Sequence, residues 1–329
     1  MCKNVKRIEY ELDGRKFTVY QTCGKCYECQ SDKRGGFAFR ASAERDYSMC
    51  AYFCGFSYAD EYLYGIKSKR VLDNYLFEQS MLPAKQRHYD LFLLNRNDMR
   101  LGRRRIRYWL EKCFGFKEAP RFVEVGEYGD LHNRPHYHIL FFLPWFIRQD
   151  IWNWILRLSW KFGEVDVGSC EQASINYVGK HCCKSSCGCK YQQVFAPSYM
   201  QQSTYPYGIG YQLRYDPYYK GLYDKGQRFI SYHGYKYSMP RFLTKFWHPD
   251  KLDVNEWEML EHQSMLNFEK KLLTSDIPSE ILLNLQKDTI EEFYDVYRSY
   301  MISDDFKKRM HYEYLRLQKK RSLKYNNIN

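Results

Sequence analysis

Residues 126–142 read GEYGDLHNRPHYHILFF and place His136 and His138 on either side of one tyrosine, just before an apolar run. In an extended strand successive side chains alternate between faces. His136, His138, Leu140 and Phe142 therefore share one face, and Tyr137, Ile139 and Phe141 the other. Two neutral imidazoles on one face can chelate a divalent cation and leave coordination positions open for a substrate. The same spacing also describes two polar residues at the exposed end of a half-buried strand. A third ligand and a reactive group separate the two readings, and a carboxylate lies upstream. RFVEVGEYG and PHYHILFFL read as two strands joined by a loop of Gly, Asp, Asn and Arg, the composition of a hairpin connection. Strand parity puts Val123, Val125 and Glu127 on one face. If that is the histidine face, Glu127 is the natural third ligand; Glu124 is the fallback, although parity points it away.

Composition narrows the partner. At 329 residues with 44% apolar content the chain can bury a sizeable core. Its longest uninterrupted apolar stretch, Ile139 to Ile147, falls short of the roughly 20 residues of a membrane span and contains Pro144. The opening MCKNVKRIEYELDG carries charges where a secretory signal needs an apolar core, so no membrane or secretory role is expected. Lys and Arg total 51 against 39 Asp and Glu, a formal charge of +12, which favours an anionic partner. Aromatic residues make up 18% of the chain, and its 32 tyrosines are often interleaved with Arg and Lys, as in GYQLRYDPYYKGLYDKGQRF. Single-stranded nucleic acid is bound by that mixture, since cations follow phosphates while flat rings stack on unpaired bases. Many of these tyrosines also serve as amphipathic core filler.

The 12 cysteines of a chain without a secretory signal point to a reducing compartment. CGKCYEC sets Cys23, Cys26 and Cys29 at C-x-x-C-x-x-C spacing, and CCKSSCGC supplies Cys182, Cys183, Cys187 and Cys189. A structural Zn²⁺ at Cys23, Cys26 and Cys29 is one expectation and ordinary packing the other. An iron cluster is disfavoured by the missing cysteine-proline signature.

The elements that must position these groups follow in chain order. A Cys-rich segment over 1–35 reads as a short hairpin (RKFTVYQTC) and a cysteine turn, and GFAFRASAERDYSM as a helix. CAYFCGFSY reads as a buried strand, and 59–90 as a loop-rich connection. From Asn97, taken as the N-cap, DMRLGRRRIRYWLEKCFG sets Ile106, Trp109, Leu110 and Cys113 at helical spacing opposite a basic face of Arg103, Arg104 and Arg107. Such a face is usually solvated, but in this charge context it can lie along DNA, as can Arg134 in the hairpin loop. FIRQDIWNWILRLSWKFG is an amphipathic helix, EVDVG a short strand, and EQASINYVGKHCCK a helix despite Gly179, with Tyr177, Lys180 and His181 close together on it. Residues 190–247 read as long Tyr-rich loops, and 248–329 as a highly charged helical region.

This order of elements resembles the HUH endonucleases, the His-hydrophobic-His superfamily of rolling-circle initiators and relaxases. CGKC near the start, GEYG followed by RPHYH, and YVGK in a helix narrow the resemblance to the replication initiators of Microviridae, of the gokushovirus-like branch. It spans roughly residues 20–245. The resemblance implies an α+β fold in which an antiparallel sheet of about five strands, an RNA-recognition-motif-like palm, packs with helices. The endonuclease domain would occupy 36–247, followed by a C-terminal helical appendage. It implies His136, His138 and Glu127 as ligands of Mg²⁺ or Mn²⁺, and Tyr177 as a nucleophile that forms a 5′-phosphotyrosine on single-stranded viral origin DNA. Lys180 or His181 would assist loss of the phenolic proton. The freed 3′-hydroxyl would be extended by host replication machinery in the bacterial cytoplasm. The sequence departs from the family at Ser57, where threonine is more usual, and at His181, where many relatives carry a second tyrosine. Rejoining would then use a second protomer's Tyr177 or, by preference, direct return of the 3′-hydroxyl. Two other readings compete: a non-catalytic, zinc-containing single-stranded DNA-binding protein, and a metal-dependent nuclease that uses water.

Overall fold

A computed structural model describes residues 6–12, 14–21, 23–182, 187–204, 208–225, 227 and 229–247. The strand that carries the histidine pair, β5 (Pro135–Leu143), is its organising element. Seven of its nine residues are buried, as expected of a strand that pairs on both edges and is covered on both faces. It pairs antiparallel with β3 (Cys50–Ser57) and with β4 (Arg121–Tyr128). The edges are β6 (Val165–Ser169) and β7 (Tyr199–Gln202), so that the five-stranded sheet runs β6-β3-β5-β4-β7. All its pairings are antiparallel. The fold is α+β with the expected five-stranded antiparallel sheet.

Alternation along β5 divides the core in two. Tyr137, Ile139, Phe141 and Leu143 pack with residues of α3 (Arg96–Phe114) and α4 (Gln149–Ser159), among them Ile106, Leu110, Trp152 and Ile155. On the opposite face, Leu140 and Phe142 pack with Val123, Val125, α1 (Tyr27–Tyr47) and α5 (Gln172–Gly179). That second face is also the histidine face. The smaller elements α7 (Pro217–Asp224), β8 (Phe229–Tyr232), β9 (Tyr235–Ser238) and α8 (Arg241–Trp247) add Tyr219, Ile230, Tyr237 and Leu243 to it.

Several elements depart from the sequence reading. The N-cap of α3 is Asn95, whose side chain accepts the Asn97 N–H at 3.0 Å; Asn97 is the donor, not the cap. At its other end Gly115 (φ 70°) closes the helix in the left-handed conformation that glycine tolerates without penalty. Within 59–90 lies a further helix, α2 (Lys69–Ser80), whose sole buried residue is Leu72; its weak apolar stripe hid it. The hairpin is formed by β1 (Lys6–Leu12) and β2 (Arg15–Gln21), and α1 already begins inside the cysteine motif, at Tyr27. Residues 190–247 are more regular than Tyr-rich loops: α6 (Lys190–Phe195) is followed by β7, a four-residue strand too short for a period of two to be visible. The expected C-terminal helical region, 248–329, lies outside the described residues. By its contacts the chain divides into two compact units, one of them Gln30–Lys251, while Met1–Cys29 belongs to the other.

The residue between the histidines anchors the opposite face. Tyr137 is fully buried; its hydroxyl accepts the Asn95 N–H at 2.7 Å and lies 2.9 Å from the Tyr58 hydroxyl, which donates to Asp98. Tyr137→Phe keeps the ring but strands the Asn95 amide at the start of α3. We expect a loss of about 1–3 kcal/mol, read as a lower urea midpoint at unchanged m-value.

Candidate functional site

The register of the sheet brings the site together. Across β4 and β5, Glu127 stands opposite His136 and Val125 opposite His138; on the other side of β5, Ser57 faces His136 and Gly55 faces His138. Glu127 and both histidines thus share one face at one end of the sheet, as parity requires. Glu124 projects from the other face, where it accepts the Tyr199 hydroxyl at 2.6 Å and pairs with Arg103. It takes no part in the site.

Glu127 is 3% exposed. Its Oε1 lies 3.3 Å from Nε2 of His136 and 3.3 Å from Nε2 of His138, and it accepts the Tyr177 hydroxyl at 2.8 Å. Its Oε2 lies 3.1 Å from Nε2 of His181. The Tyr177 hydroxyl is also 3.3 Å from His138 Nε2. Helix α5 supplies Tyr177 by burying Ile175 and Val178. It sits close to α1: a Cβ on Gly179 would come within 3.0 Å of the Phe37 ring. Beyond Gly179 the chain tightens into a 3-10 turn over Lys180–Cys182, which places His181 beside the same carboxylate as Tyr177.

Burial alone would raise the carboxyl of Glu127. Hydrogen bonds from His136 and His138, the charge of His181 and the Tyr177 hydroxyl outweigh it, and the group is held far below the usual carboxylate range. His136 shows the reciprocal effect: burial pulls its imidazole down, but the Glu127 hydrogen bond and the Arg134 carbonyl push it above its ordinary value. Tyr177 is driven well above the ordinary phenol value by burial and by donation to Glu127.

The donor set suits a hard or borderline divalent cation. One ligand atom each from Glu127, His136 and His138 lies within 4.8 Å of the other two, and nitrogen with carboxylate oxygen matches Mg²⁺ or Mn²⁺ better than a thiophilic ion. His136 Nδ1 is 3.0 Å from the Arg134 carbonyl, so Nδ1 carries the hydrogen and Nε2 turns its lone pair toward Glu127. Lone pairs converging on a carboxylate oxygen repel unless a proton or a cation stands among them. His138 adds a second observation: its Nδ1 is buried with no hydrogen-bond partner among the described residues, and its orientation comes instead from stacking on Phe53 at 5.4 Å. Phe53 also meets the Tyr177 ring edge-on at 6.0 Å. The sequence reading missed Phe53, although strand parity and the β3–β5 pairing put it on this face.

Other nominated residues lie apart. Lys180 is exposed, with Nζ over the Tyr177 ring 5.3 Å from its centroid rather than at the hydroxyl. Arg103 is no free cation for DNA: it turns inward to Glu124 and covers the Phe122 ring. Arg134 is held by the Tyr58 carbonyl, Asp60 and the Tyr89 ring. Arg104 and Arg107 are exposed and, with Arg100, rim a cleft floored by Ile106, Phe122 and Phe141, on the sheet face opposite the histidines. Cys187 accepts the Tyr128 N–H, and the side chain of Cys189 caps α6; Cys183 lies outside the described residues.

Known proteins resemble this region. Residues 84–186 match the family model described as replication-associated protein ORF2, a span that contains Glu127, His136, His138, Tyr177 and His181. The chain is 24% identical over 265 residues to the "Replication-associated protein ORF4" of Chlamydia phage 1, covering 73% of this chain and 59% of that protein. Both findings support a Microviridae replication initiator. The chain spans about three fifths of the length of that relative. No solved structure matches.

The coupling between Glu127 and His136 is measurable in metal-free protein. A histidine whose folded pKa is raised stabilises the fold below its unfolded value, and that contribution is lost as pH rises through the folded value. Glu127→Gln keeps the shape and removes the charge. We expect the His136 titration, followed by NMR, to move down toward the ordinary value near 6.5, and the stability difference between the two proteins to shrink as pH rises through the wild-type His136 pKa.

Proposed function

We propose that the chain initiates rolling-circle replication by nicking single-stranded phage DNA at its origin through Tyr177 and later rejoining it. The observation that carries this reading is the convergence of the Tyr177 hydroxyl and the His136 and His138 Nε2 atoms on one buried carboxylate oxygen. A structural tyrosine has no need of a divalent-ion donor set at its hydroxyl, and a hydrolytic nuclease has no need of a tyrosine there.

In the reaction the phenolic oxygen attacks the scissile phosphorus, an O–P bond forms to Tyr177, and the P–O3′ bond breaks. The phenolic proton departs and the leaving oxygen ends as a 3′-hydroxyl. Mg²⁺ or Mn²⁺ held by His136, His138 and Glu127 would supply a Lewis acid that neutralises phosphate charge. Glu127 Oε1 holds the Tyr177 proton at 2.8 Å and thereby aims the oxygen, but a carboxylate held so far below its usual range is a weak base. His138 Nε2, at 3.3 Å, is the next acceptor within reach. Lys180 lowers the cost of the phenolate by lying over its ring. His181, bound to Glu127 Oε2, holds the carboxylate in place. Since a histidine stands where a second nucleophile would be needed, rejoining proceeds by return of the 3′-hydroxyl onto the same phosphotyrosine. The exposed arginines Arg104 and Arg107 would add phosphate contacts, host enzymes would extend the 3′-end, and the work would be done in the host bacterial cytoplasm.

The test is incubation of the full chain with labelled single-stranded plus-strand DNA and Mn²⁺, followed by denaturing electrophoresis. A covalent adduct, lost in Tyr177→Phe while DNA binding survives, is the expected result. Cleavage without an adduct would favour hydrolysis by water, and retention without cleavage the binding protein. The His136→Ala, His138→Ala double variant should bind DNA but form no adduct, and full activity in it would remove the metal from the scheme. An already linked monomer should fail to cut a second origin strand.

A further inference from the structure

The CGKCYEC motif plays no part in the chemistry above, yet its side chains converge. Cys26 Sγ is 3.4 Å from Cys29 Sγ, Cys23 Sγ is 3.9 Å from Cys29 Sγ, and all three sulfurs lie within 4.8 Å of one another. A tetrahedral ion with metal–sulfur bonds of about 2.3 Å sets its sulfur ligands about 3.8 Å apart. The observed separations bracket that edge length.

The backbone makes a second, independent case. The amide N–H groups of Lys25 and Cys26 both point at Cys23 Sγ, at 3.4 and 3.3 Å. A neutral thiol is a weak acceptor, so consecutive amides aimed at one sulfur suit a thiolate. The turn that aims them requires Gly24 at φ 70°, in the left-handed region. Cys26 and Cys29 are one helical turn apart at the start of α1, where unpaired amides further favour negative charge. A thiol pair poised for a disulfide would leave the third sulfur and both aimed amides unexplained. An iron–sulfur cluster calls for four thiolates.

We propose that Cys23, Cys26 and Cys29 bind a structural zinc ion through three thiolates, with one tetrahedral position left for a fourth donor. Binding releases the three thiol protons and closes a loop from the end of β2 to the first turn of α1. Soft thiolates select zinc, whereas the nitrogen and oxygen donors around Glu127 suit Mg²⁺ or Mn²⁺. The chain would therefore hold ions of different classes at separate sites, sorted by donor chemistry. The zinc site shares no residue with the Tyr177 chemistry, so either reading can fail alone.

The experiment uses full-length protein purified under reducing conditions from zinc-replete cells. Metal analysis should find about one tightly held zinc per chain, as for a closed structural site, and it should persist in the His136→Ala, His138→Ala variant. Zinc should be lost in Cys23→Ser, Cys26→Ser. Replacing zinc with Co²⁺ in the histidine variant should give the intense near-ultraviolet thiolate-to-cobalt charge-transfer band, which imidazole and carboxylate ligands cannot produce. Because this arm leaves the cysteines intact, it decides the matter even if the cysteine variant fails to fold. Chelation should speed tryptic cleavage at the exposed Lys25 inside the loop. Wild-type protein without zinc, zinc retained after loss of both cysteines, or cobalt bound without the charge-transfer band would each overturn the proposal.

Discussion

Glu127 carries a charge that burial alone would not allow. A carboxylate removed from water is tolerated only when hydrogen bonds and opposite charge replace its hydration, and here His136, His138, His181 and Tyr177 all converge on it. The rest of the site depends on that compensation. Without the carboxylate the histidines lose the group that orders them, Tyr177 loses the acceptor that aims its hydroxyl, and α5 loses its polar anchor to the sheet. The arrangement is also tight: Oε1 and Oε2 are engaged from different elements, so a small rotation of the carboxylate would disturb β5 and α5 together.

The sheet separates stability from chemistry by face. On one face Tyr137, Ile139 and Phe141 lock β5 to α3 and α4 through apolar packing and the Tyr137 hydroxyl. On the other, within two residues of the strand's end, the same backbone presents imidazoles. Rigidity reaches the histidines through the strand itself, because the residue between them cannot move without breaking the core. A tyrosine nucleophile gains from this. Its phenol is weakly acidic, so accurate placement against phosphate and cation must supply much of the rate.

Basic residues are sorted by burial in a way that charge counts conceal. Arg103 and Arg121 sit in the interior, paired with Glu124 and Glu44, each of which is 1% exposed. These ion pairs satisfy buried carboxylates at the edges of the sheet and are unavailable to an anionic partner. Arg104 and Arg107, neighbours of Arg103 on the same helix, face outward. One helical stripe thus serves the core and a surface cleft at once.

Local sequence rules determined much of this protein. Period-two alternation placed Glu127, His136 and His138 on one face and Glu124 on the other, since strand parity depends only on backbone geometry. Spacing of four residues on a helix put Tyr177 and His181 on one side, and apolar periodicity found α3 and α4. Tertiary structure decided what depends on contacts between distant segments. The pairing of Glu127 with His136 rests on strand register, which the hairpin loop alone does not specify. The engagement of His181 with Glu127 rests on how α5 crosses the sheet, which buried Ile175 and Val178 set against α1. Arg103 looked like part of a solvated face because a helical pattern cannot show that a carboxylate from β4 waits beneath it. The fifth strand, β7, and the exposed helix α2 escaped notice because neither carries a long apolar repeat: one is only four residues long and the other buries a single leucine. The cysteine spacing announced a cluster, but only folding brought the sulfurs to the separation of a metal's ligands, since C-x-x-C-x-x-C fixes distance along the chain and not the turn at Gly24 that closes it.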